Sequence, residues 1–199
     1  MTTIADIRGR VRKDLGDTTA GAYRWSDDEL DRHIARALEE LSRAIPREQV
    51  ALAATTPGSR DIDLSGLAGL IEVEAVEYPV DSFPPVMPGF STWADSLTLH
   101  TETAPDGGDA RLYYTAAHVV DGSGSTLAGF LEDVLAAGAG AYAALEWAVA
   151  GIDRLNTGGP DVARQYESWG RARLTAFRQL LYQHGRSNRV RGRRLYLPA

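Results

Sequence analysis

Apolar residues follow a helical period at both ends of the chain and lose it in the middle. Ile4, Ile7, Val11 and Leu15 fall at i, i+3, i+7 and i+11, which predicts a first helix with one buried face. Thr3 with Asp6 is a start signal of the capping-box kind, and Gly16 is the stop. After a loop from Asp17 to Arg24, the string WSDDEL predicts a second helix. Ser26 is the N-cap, Glu29 closes the capping box, and Trp25 packs on Leu30 as a hydrophobic staple. Leu30, Ile34, Leu38, Leu41 and Ile45 form its apolar face, and Pro46 ends it. Asp28–Arg32 and Glu39–Arg43 are spaced as i,i+4 pairs on its surface.

From Val50 to about Val120 the helical period gives way to short alternating runs. Val50–Thr55 and Asp61–Ser65 are strand candidates on either side of a TPGSRD turn signal. Leu70–Tyr78 alternates until the phase slips at Val76, the mark of a bulge or a strand end. Phe83 to Phe90 is proline-rich and predicted irregular. Ser96–Thr101 and Ala110–Thr115 flank APDGGD, which reads as a hairpin loop. Four to six mostly antiparallel strands are expected. Glu72, Glu74 and Glu77 are expected on the solvated face of one of them.

GSGS at Gly122–Ser125 reads as a flexible joint, and a third helix is predicted from Leu127 to Leu155. Phe130, Leu131, Val134, Leu135, Ala141, Tyr142, Leu145, Val149 and Ile152 line it, and its middle is packed with Ala and Gly. Glycine in a helix costs about 1 kcal/mol relative to Ala. The expected return is close approach of a neighbouring helix at Gly138, Ala141 and Ala144–Leu145. NTGGPD at Asn156–Asp161 breaks this helix and opens a fourth at Pro160. Val162, Tyr166, Trp169, Phe177, Leu180 and Leu181 mark its buried face, Arg171, Arg173 and Arg178 mostly face outward, and Gly185 is the expected C-cap. The fold class is therefore mainly α with a small antiparallel β insert (α+β). A helical bundle core of about four helices is expected from residues 1–48 and 126–185, with a β-rich insert at 49–125 between helices 2 and 3. Residues 186–199 form an extended C-terminal arm.

Charge sharpens that last division. The whole chain carries −6, and five of its arginines stand in the final fourteen residues, RSNRVRGRRLYLPA, which hold no acid. Residues 1–185 therefore carry −11, five more negative than the whole. A short basic strip tipped with Leu-Tyr-Leu-Pro has too little apolar content to be a core element. It reads as an arm for a partner, with Leu195, Tyr196 and Leu197 as anchors and the arginines on the rim. There is no cysteine, which excludes disulfides and thiolate chemistry. No run of eighteen apolar residues and no signal-peptide core at the N-terminus is present, so synthesis in the cytoplasm and no membrane partner are expected.

Candidate chemistry is sparse. His33, His100, His118 and His184 lie in four separate segments with no ligand spacing between them, so no metal is expected. No GxSxG, P-loop or GxGxxG motif occurs, and no catalytic residue or cofactor is assigned. The loop between the first two helices is too long for a helix-turn-helix, and the second helix carries acids where base-contacting residues would stand. The arm is the better nucleic-acid candidate, since GRSNRVRGRR can neutralise phosphates without sequence preference. A DNA-binding or packaging accessory protein is thus the alternative reading.

Taken in order, five parts resemble the head-to-tail connector (adaptor) proteins of tailed bacteriophages: TTIADIRGRVRKDLGD, YRWSDDELDRHIARALEELSRAIP, TTPGSRDIDL with IEVEAVEYP, LEDVLAAGAGAYAALEWA, and the arginine-rich C-terminus. The resemblance covers nearly the whole chain, and the order of the parts carries it rather than any single motif. It implies a non-enzymatic virion protein of the head–tail neck, made in the host cytoplasm. Such proteins form homo-oligomeric rings, commonly dodecamers, beneath the portal protein. The ring extends the DNA channel, lets double-stranded DNA pass without specific binding, and receives the next neck or tail component, a stopper or tail protein. Carried over, the portal-binding arm is Arg186, Asn188, Arg189, Arg191, Arg193, Arg194, Leu195, Tyr196, Leu197 and Pro198. Fourteen extended residues reach up to about 45–50 Å, enough to cross a subunit boundary.

Overall fold

Local capping builds the first two helices as the sequence predicts. The computed structural model describes residues 2–150 and 161–189, with backbone alone for 186–189. Helix α1 (Ile4–Leu15) starts at a Thr3/Asp6 capping box and stops at Gly16, which holds the left-handed conformation at φ 66°. Helix α2 (Asp27–Ala44) starts at the Ser26/Glu29 box and ends at Ile45, whose amide still bonds to the Leu41 carbonyl. The acids in these boxes accept the orphan N-terminal amides, which keeps Asp6 and Glu29 ionised below their ordinary range. Along α2, Glu39 pairs with Arg43 as expected, whereas Arg32 reaches Glu146 instead of Asp28.

By its own contacts the chain divides into two compact units. One comprises the helices and the other the strands, the latter spanning Pro46–Ala117. In the helical unit, α3 (Gly129–Ala150) packs against α1, α2 and α4 (Val162–Arg189). Its core gathers Ile7, Val11, Leu30, Ile34, Leu41, Leu135, Tyr142 and Phe177. The small residues of α3 admit close neighbours. A Cβ on Gly138 would stand 2.8 Å from the Phe177 ring, and one on Gly170 of α4 would stand 3.2 Å from the Ala141 carbonyl oxygen. These are the approaches that the Ala/Gly composition predicts. Within the predicted face of α3, Phe130 and Val149 are exposed rather than buried. Ile152 and Leu155, and the break at 156–160, lie outside the described residues.

GSGS is an ordered turn, not a flexible joint. The Asp121 carboxylate accepts the amides of Ser123 and Gly124, and Val120 bridges to Ser125. The same turn ties down the chain start, because Ile4 N–H donates to the Asp121 carbonyl at 2.9 Å. Gly185 is likewise not a C-cap. Helix α4 runs through it to Arg189, so Arg186, Asn188 and Arg189 stand in the helix and not in an extended arm. The physical reason is packing: a Cβ at position 185 would sit 2.6 Å from the Ala44 carbonyl oxygen. Glycine stands there so that α4 can lie on the end of α2.

The strand unit is two three-stranded antiparallel sheets on a shared core. One has the order β1 (Arg47–Ala54), β6 (Asp109–Ala116), β3 (Leu70–Glu77). The other has the order β2 (Asp61–Asp63), β5 (Ser96–His100), β4 (Gly89–Trp93). Ile62, Leu64, Val73, Val76, Leu97, Leu99, Ala110 and Leu112 fill the space between them. The predicted hairpin across APDGGD is therefore wrong. Residues on either side of it belong to different sheets, because Leu97 and Leu99 face the same core as Ala110 and Leu112 from the opposite side. The chain changes sheet four times in all, and the crossing here meets the one between β1 and β2. The two crossings bond to each other through Thr55 N–H to the Gly108 carbonyl at 3.1 Å and Gly58 N–H to the Pro105 carbonyl at 2.8 Å.

Candidate functional site

The sequence places the candidate site at the C-terminus, and the helical unit shows what anchors its root. The last turns of α4 bury Phe177 and Leu181 in the helical core, and Gly185 is locked against Ala44. Arg178 hydrogen-bonds the Tyr142 hydroxyl at 3.3 Å, and that hydroxyl in turn donates to Glu40. Burial and the Glu40 carboxylate push the Tyr142 phenol above its ordinary range, so the bridge stays protonated. Beside this root, the exposed Phe130 ring lies 5.3 Å from the His184 ring, and Tyr182 is exposed. Of the predicted arm residues, Arg186, Asn188 and Arg189 close α4. Arg191, Arg193, Arg194, Leu195, Tyr196, Leu197 and Pro198 lie outside the described residues.

At the other end of the helical unit, charge is knotted rather than displayed. Arg12 is buried, reaching Asp17 at 2.7 Å, the Trp25 carbonyl at 3.0 Å and Asp27 at 2.7 Å. Asp17 also accepts the Arg24 amide at 2.8 Å. Arg12 and then Arg8 hold the Asp27 carboxyl below its usual range. Arg10 spans Glu132 at 3.0 Å and Asp133 at 2.7 Å, and Thr2 adds a bond to Glu132. Asp27 thus serves both the α2 dipole and a clamp on α1. The second role is not legible locally, because Arg12 sits one position beyond the apolar face and carries no local sign of burial.

The strand unit holds one more such knot, and it corrects an expectation. Glu77 is buried, not solvated, receiving Arg111 at 2.8 Å, the Tyr113 hydroxyl at 3.0 Å and the Asp81 amide at 3.0 Å. Burial opposes its ionisation, yet these donors outweigh it and keep it charged. Glu72 and Glu74 are exposed as expected. The difference comes from register shifts at Leu70/Glu72 and Val73/Ala75, which change the phase of β3 before Glu77 is reached. Large apolar side chains on this unit also meet solvent, chiefly Phe83 at 89% and Trp93 at 88% exposure.

Among the described residues, no group of three or more His, Asp or Glu side chains is placed to hold a metal ion. No described helix is long and apolar enough to cross a membrane. The described residues provide a helical root for the basic C-terminal sequence, along with exposed aromatic side chains. The family model described as SU10 adaptor protein matches residues 2–195, and the chain belongs to that family of phage head–tail adaptors. It is a structural family of the virion neck, not an enzyme family, and its members associate with portal and tail components. None of the curated proteins matches the chain.

Proposed function

We propose that this adaptor forms a closed, dodecameric ring beneath the portal, with the helical unit as the ring wall and the C-terminal arm docked on the portal. The family match over residues 2–195 carries this reading, because it takes in the helices, the strand unit and most of the arm. The ring continues the DNA channel and presents its far side to a stopper or tail protein. An acidic body suits that role, since a wall of like charge keeps the duplex from adhering. Leu195, Tyr196 and Leu197 serve as the anchors, and Arg186, Arg189, Arg191, Arg193 and Arg194 orient the arm on acidic portal surface. Pro198 ends it and Asn188 lies at its root. Many weak arms acting from one ring give firm attachment without high single-arm affinity.

The test is truncation after Gly185. The shortened chain is expected to fold, because the core and the Gly185–Ala44 contact remain, and to fail to join heads that carry a portal. Mass measurement of the full chain with a portal ring is expected to show a dozen copies bound. Normal head–tail joining by the truncated chain would remove the arm from this role.

A further inference from the structure

The strand unit carries a cleft that the proposed neck role leaves unused. It opens between β3 and β4, each the edge strand of its own sheet, and encloses about 640 Å³. The register shifts in β3 fall along its wall. Such shifts bend a strand and blunt an edge against unlimited strand pairing, while leaving room for side chains. The lining is mixed, and among its apolar side chains Leu67, Leu70 and Phe90 are partly buried and Ile71 is 43% exposed. Glu72, Glu74 and Asp95 make the lining acidic, and no Lys, Arg or His is among the described residues that line the cleft. An occupant must therefore be cationic and carry apolar anchors a few residues away.

The chain itself contains such a segment. Residues 190–199, VRGRRLYLPA, bring three arginines next to Leu195 and Leu197 with no acid among them. In an extended chain Arg193, Leu195 and Leu197 share one face, so a cation and two apolar side chains enter a groove together. Pro198 lacks an N–H and ends any pairing with the β3 or β4 edge. We infer that the cleft between β3 and β4 receives the C-terminal segment, residues 190–199, of a second copy of this chain. Leu195 and Leu197 pack on Leu70, Ile71 and Phe90 while Arg193 and Arg194 meet Glu72 and Asp95. That the donor is a second copy rests on the proposed ring. Before a portal is met, each arm is then sheltered on a neighbour, and portal docking takes it from there.

The experiment uses the chain truncated after Arg189, which keeps α4, and a synthetic peptide of residues 189–199. The peptide is expected to bind. Glu72→Arg with Asp95→Arg in the protein, both at exposed positions, is expected to weaken binding by at least about tenfold. Leu195→Asp with Leu197→Asp in the peptide is expected to do the same at no risk to the fold. A complementation measurement then fixes the donor. The truncated chain supplies only a cleft, and a full chain with Ile71→Asp and Glu72→Arg supplies only an arm. Their mixture is expected to associate beyond either alone in sedimentation. Absence of peptide binding, or binding indifferent to both sets of substitutions, overturns the inference and leaves portal docking standing. Peptide binding without complementation shows the arm seated on its own chain, which also overturns it.

Discussion

At the scale of single residues, the close packing of the helical unit depends on where a side chain is missing. Gly185 looks like a helix terminator in the sequence, since it follows a periodic stretch and precedes a polar, arginine-rich one. Its real constraint is the Ala44 carbonyl oxygen, 2.6 Å from where a Cβ would stand. That contact lies between residues far apart in the chain, and no local rule reveals it. Gly185→Leu is expected to lower stability by about 1–3 kcal/mol, the usual range for overpacking a well-filled contact. Gly9, in the middle of α1, has open space around it, with nothing within 4 Å of where a Cβ would stand. Gly9→Ala is expected to raise stability by about 0.5–1 kcal/mol through helix propensity alone. Thermal melts of the two variants check this; equal effects would mean that α4 does not lie on α2 as described.

At the scale of elements, what the sequence reveals depends on how local the cause is. Both capping boxes, the Gly16 stop and the start of α2 are set by residues within four positions of one another, and all are legible. Strand pairing is not local. Ser96–Thr101 and Ala110–Thr115 look like hairpin partners because a good turn joins them, yet the inter-sheet core places them in different sheets. The burial of Glu77 depends on two register shifts that alternation alone does not locate. Interfaces between helices are equally hidden, and His33 is an example. It lies on the buried side of α2, with Nε2 3.3 Å from Glu146 of α3. Burial lowers its pKa from 6.5; Glu146 and Glu29 pull it up, while Arg32 and Arg36 push it further down. The unfolded chain therefore takes up this proton more readily than the folded one. The stability tied to neutral His33 is complete above 6.5 and is lost as pH falls below 6.5 towards the folded value. His33→Gln is expected to flatten that part of the pH–stability curve. Superimposable curves for the two proteins would show that α2 and α3 do not enclose a neutral ring.

At the scale of the whole molecule, the arrangement of charge separates the adaptor from a DNA-gripping accessory protein. The five arginines of the final fourteen residues face a remainder of −11, and many of the other arginines are already engaged within the helical unit. A terminus that held phosphates would show an affinity falling with salt at a slope of about −0.9 per phosphate neutralised. Against a body of this charge, a duplex gains little from the arm and is repelled by the rest. The full chain is therefore expected not to bind duplex DNA at about 50 mM salt, where phosphate contacts are strongest. Removing residues 190–199 should leave that result unchanged. Fluorescence anisotropy with a labelled duplex makes the measurement. Binding that weakens steeply with salt and disappears with the arm would assign the arginines to the genome in place of the portal. The free arm peptide is the informative control: it has the cations without the acidic body. Peptide binding with no binding by the full chain would place the repulsion in residues 1–185, as a conduit for DNA requires.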